Sequence, residues 1–374
     1  MANWSLFMPT KKGMQYKLIS HCVAVSTLIV YNVVLYKTSR NNELSFDDKF
    51  TIINNPVVRK RNINLHMLFT KDFWGVHNLR SYKSHKSFRP LTTLTYWIDN
   101  RWAYDGNYSV IHVFDSQPLL SERLHLINIY LHVTVVVLLY TLVNIILNVW
   151  DNRLKELAIT TSGFKNVVTP TVISMIFSAH PVKVNAVSSV SGRAELLSCV
   201  FSVSTFALMF RLWHGVIEGG QYEKQQQLPR WPFGLFLGFV TATLGVASKE
   251  TGIAGVFISL LYFLFKHAKR STPITKTNDN HQISHMFIII VTFMFVISIL
   301  SIRIYLNNGW PYFSRHDNPI IYMDNQYLKM LSILIINAKA LLLISIPWNS
   351  CTDYSNVTNT FFKGEHSILA FGMS

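Results

Sequence analysis

Charged residues are scarce in this chain. Asp, Glu, Lys and Arg make up 14% of its 374 residues, whereas apolar residues make up 50%. So little polar surface excludes an ordinary soluble globule of this length and favours a membrane protein, as does the mean hydropathy of +0.26. Acidic residues are the scarcer sign, with 19 Asp and Glu against 34 Lys and Arg, which gives a formal net charge of +15.

The basic surplus is dispersed among apolar segments, and no nucleic-acid recognition motif accompanies it. It therefore does not indicate a nucleic-acid partner. An anionic lipid or a phosphorylated lipid fits this distribution better.

Cysteine is also rare. Cys22, Cys199 and Cys351 are too few and too scattered for a disulfide framework, and two of them fall inside apolar segments. The sequence shows neither a metal-ligand cluster nor a redox motif, so we expect no metal and no prosthetic group. Internal repeats, low-complexity tracts and a separable second domain are lacking too.

Apolar segments dominate the rest of the chain and predict an all-α polytopic membrane protein with about eight spans. The third segment is too short for an ordinary span, so we expect it to be tilted or broken. The first follows three lysines as a signal peptide would, but it is too long for one and lacks a cleavage site, so we interpret it as a retained span. The eight segments are 18–36, 124–150, 167–179, 194–213, 233–247, 253–265, 286–306 and 328–346.

Only Ser248-Lys249-Glu250-Thr251-Gly252 separates the fifth segment from the sixth. This spacing allows two short helices with a polar hinge or one interrupted helix. In either case Lys249 and Glu250 must face protein or water, because lipid would make both costly.

Basic residues concentrate in alternate short loops, and this bias predicts a cytosolic N-terminus. The large polar segment 37–123 then lies in the lumen. Asn107-Tyr108-Ser109 is a glycosylation sequon within it, which agrees with that orientation.

Acids and cations recur at the luminal ends of the predicted spans. This mixture suits transfer of a group from a lipid phosphate to a hydroxyl, because a carboxylate can act as general base while Arg and Lys stabilise the departing phosphate. The candidate residues are Asp47, Asp48, His85, Arg89, His180, Arg193, Glu195, Lys249 and Glu250, with a further cluster at 315–319.

Each cluster also has a purely structural interpretation. Asp47 and Asp48 can cap a short helix, and the cations at 85–89 can form a solvated interfacial face. Arg193 can pair with Glu195 at the end of a span, and Lys249 with Glu250. The aromatic residues Phe73, Trp74, Tyr96, Trp97 and Trp102 can form an interfacial belt.

Taken together and in order, eight motifs resemble the membrane half of the transmembrane and tetratricopeptide-repeat O-mannosyltransferases (TMTC). The resemblance extends from about Phe46 to about Ser355. The motifs are Phe46-Asp47-Asp48 with Ile53-Asn54-Asn55-Pro56, Asp72-Phe73-Trp74-Gly75, Ser84-His85-Lys86-Ser87-Phe88-Arg89-Pro90, Leu126-Ile127-Asn128 with Leu131-His132, Ala179-His180-Pro181, Gly192-Arg193-Ala194-Glu195, Ser248-Lys249-Glu250-Thr251-Gly252 and Asp317-Asn318-Pro319.

This resemblance implies an enzyme of the endoplasmic-reticulum membrane with the C-type glycosyltransferase (GT-C) fold. Its donor would be dolichyl phosphate mannose, and its acceptors Ser and Thr hydroxyls on secretory-pathway proteins, of the cadherin type in this family. The acceptor base falls on Asp47 or Asp48; by analogy we assign it to Asp47, with Asp48 orienting it or the acceptor. Residues 1–355 form the glycosyltransferase domain and 356–374 stay unassigned.

The chain departs from the family pattern at several places. Lys183 and Asn185 stand where the family usually has a His and an acidic residue, the loop 105–123 is expanded, and tetratricopeptide repeats are absent. These departures leave a non-catalytic or truncated membrane protein of the same family as the alternative. A transporter fits less well, because the polar residues gather at span ends and inverted repeats are not visible.

Overall fold

The computed structural model describes residues 11–60, 62–102, 118–156, 165–218, 231–270, 279–309, 313 and 319–347. Within these ranges the regular structure is helical, apart from an isolated bridge between Lys71 and Asn78. The described part of the chain therefore has the all-α architecture that the apolar segments predict. The predicted C-terminal segment 356–374, the sequon at Asn107 and the cluster at 315–318 lie outside the described residues.

Twelve α-helices lie in the described ranges, and short 3₁₀ or π segments join several of them. The helices are α1 (Lys11–Tyr36), α2 (Pro56–Arg59), α3 (Leu65–Thr70), α4 (Pro90–Trp102), α5 (Pro118–Glu156), α6 (Lys165–Ala179), α7 (Val184–Ser188), α8 (Arg193–Glu218), α9 (Trp231–Ser248), α10 (Ala254–Arg270), α11 (Asp279–Asn307) and α12 (Gln326–Ser345).

Six described helical stretches are long and apolar enough to cross a membrane, so the protein is a multi-pass membrane protein. The pair Asn166–Ala179 and Pro181–Ser188 is apolar and long enough when taken together, but it is bent by 58° at the break, as in a broken span or a re-entrant loop. The predicted third segment, 167–179, lies within the single helix α6 and ends at this bend. The predicted fifth span corresponds to a shorter apolar helix, Pro232–Ser248, and a 3₁₀ turn at Glu250–Ile253 separates it from α10.

The helices pack in two groups. On one side, α1, α5 and α6 enclose a core of Ala24, Leu28, Val136 and Tyr140. On the other, α8 packs against α9 and α10, and α10 against α11, around a larger core that includes Trp213 and Phe263, whose rings stack 4.5 Å apart. Contacts between α5 and α8 join the two groups. Close packing holds such helices together, since lipid offers little hydrophobic drive between them.

The polar loops meet at one end of the helices, which we call the first-loop end because residues 37–60 and 62–89 lie there. The hydroxyl of Tyr36 at the end of α1 donates to the carbonyl of Ser178 at the end of α6 (2.9 Å). Thr92 at the start of α4 donates to the carbonyl of Ser248 at the end of α9 (2.8 Å). Three predicted loops thus lie at the same end of the bundle.

A small apolar core supports this end. Ile52, Val58, Phe73, Tyr96 and residues of α5 and α8 are buried together. The interpretation of the aromatic residues as an interfacial belt is therefore wrong for Phe73 and Tyr96, whose side chains are 3% and 1% exposed. Burial of two large rings in a region outside the spans stabilises the loop fold.

The C-terminal end of helix α12 contacts the end of α6. Nε2 of His180 donates to the carbonyl of Ile344 near the end of α12 (2.9 Å). This end of α12 thus lies at the first-loop end.

Candidate functional site

The Asp47-Asp48 pair sits in a sharp turn after α1. Phe46 has φ +48°, an unusual value for a bulky residue, and its side chain is 81% exposed. A single π turn over Lys49–Ile53 follows, and Thr51 donates to the carbonyl of Asp47 (2.8 Å). Strained backbone and π turns often occur at functional sites, where they direct a side chain. Here the carboxylate of Asp47 is exposed at the surface.

Asp48 points the other way, into the protein, and is 1% exposed. Its carboxylate accepts from the hydroxyl of Ser189 (3.0 Å) and from the backbone N–H groups of Val190 (3.2 Å) and Ser191 (2.6 Å). It makes no hydrogen bond that caps the 49–53 turn, so the helix-cap interpretation is wrong for Asp48. Asp48 instead fixes the loop that joins α7 to α8.

The same loop is held from its other side. Asn128 of α5 donates to the carbonyl of Ser189 (2.7 Å), and the Tyr96 hydroxyl of α4 donates to the carbonyl of Val190 (2.9 Å). Gly192 follows, and a Cβ there would lie 2.3 Å from the carbonyl oxygen of Ala186. The close approach of α7 requires glycine at this position, which gives the Gly192-Arg193 motif a physical basis.

A cleft of about 670 Å³ lies between the Asp47 turn and this loop. The described residues that line it bear two carboxylates, three amide or aromatic side chains, four hydroxyls and no cation. They are Asn42, Glu43, Ser45, Phe46, Asp47, Asn185, Ser188, Ser189 and Ser191. The exposed carboxylate of Asp47 thus faces a polar cleft that suits a hydroxyl-bearing ligand.

Arg193 lies beneath the cleft and is 0% exposed. It forms an ion pair with Asp99 of α4, and its Nε donates to the side-chain oxygen of Asn128 (3.2 Å). Its guanidinium also stacks on Tyr96, 4.7 Å from the ring centre. The suggested pair between Arg193 and Glu195 is therefore wrong. Sequence reasoning missed Asp99, although an acid in a protein with few acids was a usable signal.

A second group of charges lies at the ends of α9 and α11. Lys249 pairs with Glu195 of α8, and Glu250 pairs with both Arg89 and Arg303. The suggested pair between Lys249 and Glu250 is therefore wrong, because each has its partner on another element. We call these five residues the charge cluster; it holds three cations and two carboxylates.

Arg303 is a member of the cluster that sequence reasoning missed. It lies near the end of the apolar helix α11, inside a predicted span. A lone arginine in such a helix is functional or paired by default, so the signal was present. Its partner was not readable, because 53 residues separate Arg303 from Glu250.

Lys249 occupies the last position before the 3₁₀ turn, in extended backbone. Burial, together with the charge of Arg89, lowers the pKa of its ammonium group to about 8, although the charge of Glu250 opposes this shift. Gly252 allows the turn to fold onto α9, since a Cβ there would lie 2.0 Å from the carbonyl carbon of Gly245. The Ser248–Gly252 motif thus brings its two charged residues to the cluster.

Tyr96 lies between the wall of the cleft and the charge cluster. Its hydroxyl donates to the carbonyl of Val190 (2.9 Å), and the centre of its ring lies 6.4 Å from that of Phe73, over which the guanidinium of Arg89 lies. Burial raises the pKa of its hydroxyl, the charges of the nearby arginines oppose this shift, and that of Asp48 adds to it. The Asp47 turn and the cluster cations thus lie at the same end of the molecule.

The remaining candidates lie elsewhere. The ring of His85 packs between those of Trp74 and Phe313, whose centres lie 5.0 Å and 5.5 Å from its own. Lys86 is buried, and its ammonium group donates to the carbonyls of Leu79, Ser81 and Asn307 at 2.7–2.9 Å. The solvated-face interpretation is therefore wrong for Lys86, which joins the first loop to the end of α11.

His180 is not among the residues that line the cleft, and it contacts α12 as described above. Its Nδ1 accepts from the backbone of Val182 (3.3 Å). A role in binding substrate stays a prediction for His180 and for His85. Among the described residues, no group of three or more His, Cys, Asp or Glu side chains is placed to hold a metal ion.

The chain is similar in sequence to proteins that are named protein O-mannosyl-transferases. The chain is 27% identical to a protein O-mannosyl-transferase of Caenorhabditis elegans over 331 residues, 88% of this chain and 38% of that protein. It is 30% identical to human protein O-mannosyl-transferase TMTC1 over 243 residues, 65% of this chain and 24% of the relative. It is 26% identical to mouse protein O-mannosyl-transferase TMTC4 over 341 residues, 87% of this chain and 42% of the relative.

The chain thus spans between 24% and 42% of the length of these curated relatives. No family model and no solved structure matches it.

Proposed function

Because this chain belongs to the TMTC family of protein O-mannosyl-transferases, we propose that it forms the membrane-embedded catalytic part of such an enzyme. It transfers mannose from dolichyl phosphate mannose to Ser or Thr hydroxyls of secretory-pathway proteins, with cadherin-type domains as acceptors. The observation that carries this proposal is the exposed carboxylate of Asp47 in a polar cleft next to a cationic cluster.

Asp47 is the general base. None of the described residues that line the cleft is a cation. An acceptor hydroxyl in the cleft can donate its proton to Asp47 as its oxygen attacks C1 of the mannose. The bond between C1 and the phosphate oxygen breaks, the bond between C1 and the acceptor oxygen forms, and the lipid phosphate leaves with the electron pair.

Asp48 and Arg193 are positioning residues. Asp48 holds the loop 189–191 that forms one wall of the cleft, and Arg193 holds α4, α5 and α8 together beneath it. Neither presents an open face to a substrate. This assignment separates the two aspartates of the motif, and it moves Arg193 from a direct phosphate contact to support.

The charge cluster receives the donor phosphate. Its three cations exceed its two carboxylates, and Arg89 and Lys249 lie beside each other there. Arginine suits phosphate because its planar fork matches phosphate oxygens. The leaving group gains negative charge as the C1–O bond breaks, so nearby cations lower the barrier.

The proposed location is the endoplasmic-reticulum membrane, with the N-terminus in the cytosol and the first-loop end in the lumen. The short-loop charge bias supports that orientation, and a lipid-linked donor with a secreted acceptor requires a luminal site. The fold we propose is of the GT-C type. A glycan on Asn107 that endoglycosidase removes would agree; protease access to this loop from the cytosolic side would contradict it.

The decisive test is expression of the full chain in cells that lack the related enzymes. Mass spectrometry of co-expressed cadherin domains would then show hexose on Ser or Thr with the parent and none with Asp47→Asn. A chain that reaches the membrane at normal level and transfers no hexose is a non-catalytic member of the family. Equal hexose with parent and variant would refute the assignment of Asp47 as base.

A further inference from the structure

Two arginines from distant elements converge on one carboxylate in the charge cluster. Oε2 of Glu250 lies 3.3 Å from Nε of Arg89, which precedes α4, and Oε1 accepts from Nη2 of Arg303 on α11. A pair of guanidinium groups that share one anion is an arrangement that also fits phosphate oxygens.

Both arginines are held in place by contacts that do not involve Glu250. The guanidinium of Arg89 lies over the ring of Phe73, 4.7 Å from its centre, and Phe73 belongs to the buried core of the first-loop end. Arg303 donates from Nη1 to the backbone carbonyl of Phe88 (2.9 Å) and also lies over the Phe88 ring. The two guanidinium groups therefore keep their positions when the carboxylate is removed.

Glu250 is the accessible member of the trio. Its side chain is 40% exposed, against 17% for Arg89 and 15% for Arg303. It begins the 3₁₀ turn Glu250–Ile253, directly after Lys249 in extended backbone. A rotation of its side chain toward solvent breaks no packing of a helix core.

We propose that Arg89 and Arg303 form an anion seat that Glu250 fills in the absence of substrate, and that the phosphate of a polyprenyl phosphate ester displaces it. This inference rests on the proposed function for the identity of the ligand. A phosphodiester carries one negative charge, as the carboxylate does, so the exchange leaves the charge of the cluster unchanged. Glu250 thus offsets one of the two positive charges on these half-buried arginines until the donor arrives.

The exchange also bears on product release. When the sugar is transferred, the phosphodiester becomes a phosphomonoester that carries additional negative charge. Lys249 lies at the same cluster and can offset that charge. Return of the Glu250 carboxylate to the two arginines then competes with the bound product and favours its release.

Direct binding tests this proposal without any sugar transfer. The full chain in lipid nanodiscs would be titrated with geranylgeranyl phosphate, and the midpoint of thermal unfolding would be followed. Geranylgeraniol is the control for the lipid tail, and inorganic phosphate separates a free phosphate from a lipid-borne one. We expect stabilisation by the lipid phosphate alone among the three.

Variants that remove one charge should change the affinity for the lipid phosphate in opposite directions. Glu250→Gln removes the competing carboxylate, and we expect it to tighten binding of geranylgeranyl phosphate by about tenfold. Arg303→Met removes one side of the seat, and we expect it to weaken binding by about tenfold or more. A structural role for Glu250 predicts the opposite sign for Glu250→Gln, since the arginines would then lose their order.

The matched control is Glu122→Gln, which also removes a carboxylate from an arginine, Arg40, at the first-loop end but lies outside the charge cluster. We expect it to change binding by less than about twofold, the effect of screened charge alone. Equal tightening in both variants would overturn the proposal in favour of a general charge effect.

Glu250→Asp covers the case in which Glu250→Gln does not fold. Its shorter side chain keeps the charge but cannot span both arginines, so binding should tighten here too; unchanged binding would overturn the proposal.

The binding and transfer experiments separate this proposal from the proposed function. If the variants change binding of the lipid phosphate as expected but no hexose appears on acceptors, the proposed function is wrong and the anion seat stands. If hexose is transferred but Glu250→Gln leaves binding unchanged or weakens it, the anion seat is wrong and the proposed function stands.

Discussion

The cleft at Asp47 and the charge cluster at Glu250 lie at the same end of the molecule but differ in the charges of their side chains. The cleft has two carboxylates, Asp47 and Glu43, and no cation among the described residues that line it. In the cluster every carboxylate is paired and cations are in excess. A proton acceptor benefits from the absence of a cation beside it, whereas a phosphate needs cations. The contrast therefore supports the proposed hydroxyl chemistry in the cleft and the proposed phosphate chemistry in the cluster.

The two aspartates of the motif show the same contrast at closer range. Asp47 is exposed in the cleft, while Asp48 is buried and accepts three hydrogen bonds from the 189–191 loop. Both residues follow Phe46 in one helical turn, where successive side chains point in different directions. In the proposed mechanism Asp47 reacts, and Asp48 holds the loop that forms one wall of the cleft.

The largest expected loss of activity follows from a substitution in the cleft. Asp47→Asn keeps the size of the side chain but removes its ability to accept a proton, so we expect mannosyl transfer to fall by about a hundredfold to ten-thousandfold. Hexose on a cadherin domain, measured by mass spectrometry, gives the readout.

Glu43→Gln is the matched control, because Glu43 is a second carboxylate of the same cleft. We expect it to retain most activity. If Glu43→Gln and Asp47→Asn lose activity equally, the base cannot be assigned to Asp47 alone.

The next prediction distinguishes a positioning role of Arg193 from direct binding of the donor phosphate. Arg193→Ala leaves Asp99 buried without its partner, and breaking a buried pair in this way costs about 3–5 kcal/mol of stability. Thermal unfolding of the purified chain, followed by tryptophan fluorescence, would show a lowered midpoint.

Asp99→Asn tests the same pair from the other side and should lower the midpoint as well. A direct role of Arg193 in binding the donor phosphate predicts a different pattern: an unchanged midpoint with a raised KM for the donor. That pattern would contradict the positioning role.

Part of this site was readable from the sequence and part was not. Apolar segments predict the helices, and their polar ends predict that residues such as Asp47, Arg89 and Lys249 gather at one end. Pairing was not readable, because partners such as Arg193 and Asp99 lie 94 residues apart and meet only through the packing of α4 against α8. The sequence suggested pairs between close neighbours, Arg193 with Glu195 and Lys249 with Glu250. In the structure each of these residues pairs with a residue that is distant in the sequence.

The different environments of Asp47 and Asp48 were equally beyond sequence reasoning. Two identical neighbouring side chains carry no pattern that says which is buried. Only the backbone turn at Phe46 and the donors at 189–191 decide it. Arg303 differs from these residues. Its position in an apolar helix already indicates a paired or functional residue, and only the identity of its partner, Glu250, had to come from the structure.

A smaller effect is expected at the cluster. Arg89→Ala removes one phosphate ligand but leaves Arg303 and Lys249, so we expect the KM for the donor to rise by about tenfold to a hundredfold. Initial rates in microsomes at varied donor concentration measure it. The KM for the acceptor domain should stay near that of the parent, because the acceptor lies in the cleft.

A rise in the KM for the acceptor with an unchanged KM for the donor would reverse the assignment of the two regions. Arg80→Ala is a suitable control: its guanidinium lies over the ring of Tyr305, near the same end of α11, but outside the cluster. It should leave both constants unchanged.

The smallest effect is a pH dependence that belongs to the cluster and not to the cleft. Since the pKa of Lys249 is lowered to about 8, its ammonium group is charged below that pH and loses its proton as the pH rises through it. Affinity for the donor should therefore fall severalfold between about pH 7 and about pH 9.

Lys249→Arg sharpens this test, because a guanidinium keeps its charge throughout that range. In this variant the KM for the donor should stay flat as the pH rises, while the parent loses affinity. The KM for the acceptor should not change in this way, because the acceptor lies in the cleft and Lys249 is not among the residues that line it. A parallel alkaline loss in parent and variant would mean that Lys249 is not the titrating group, and the contrast between the two regions would then rest on the arginines alone.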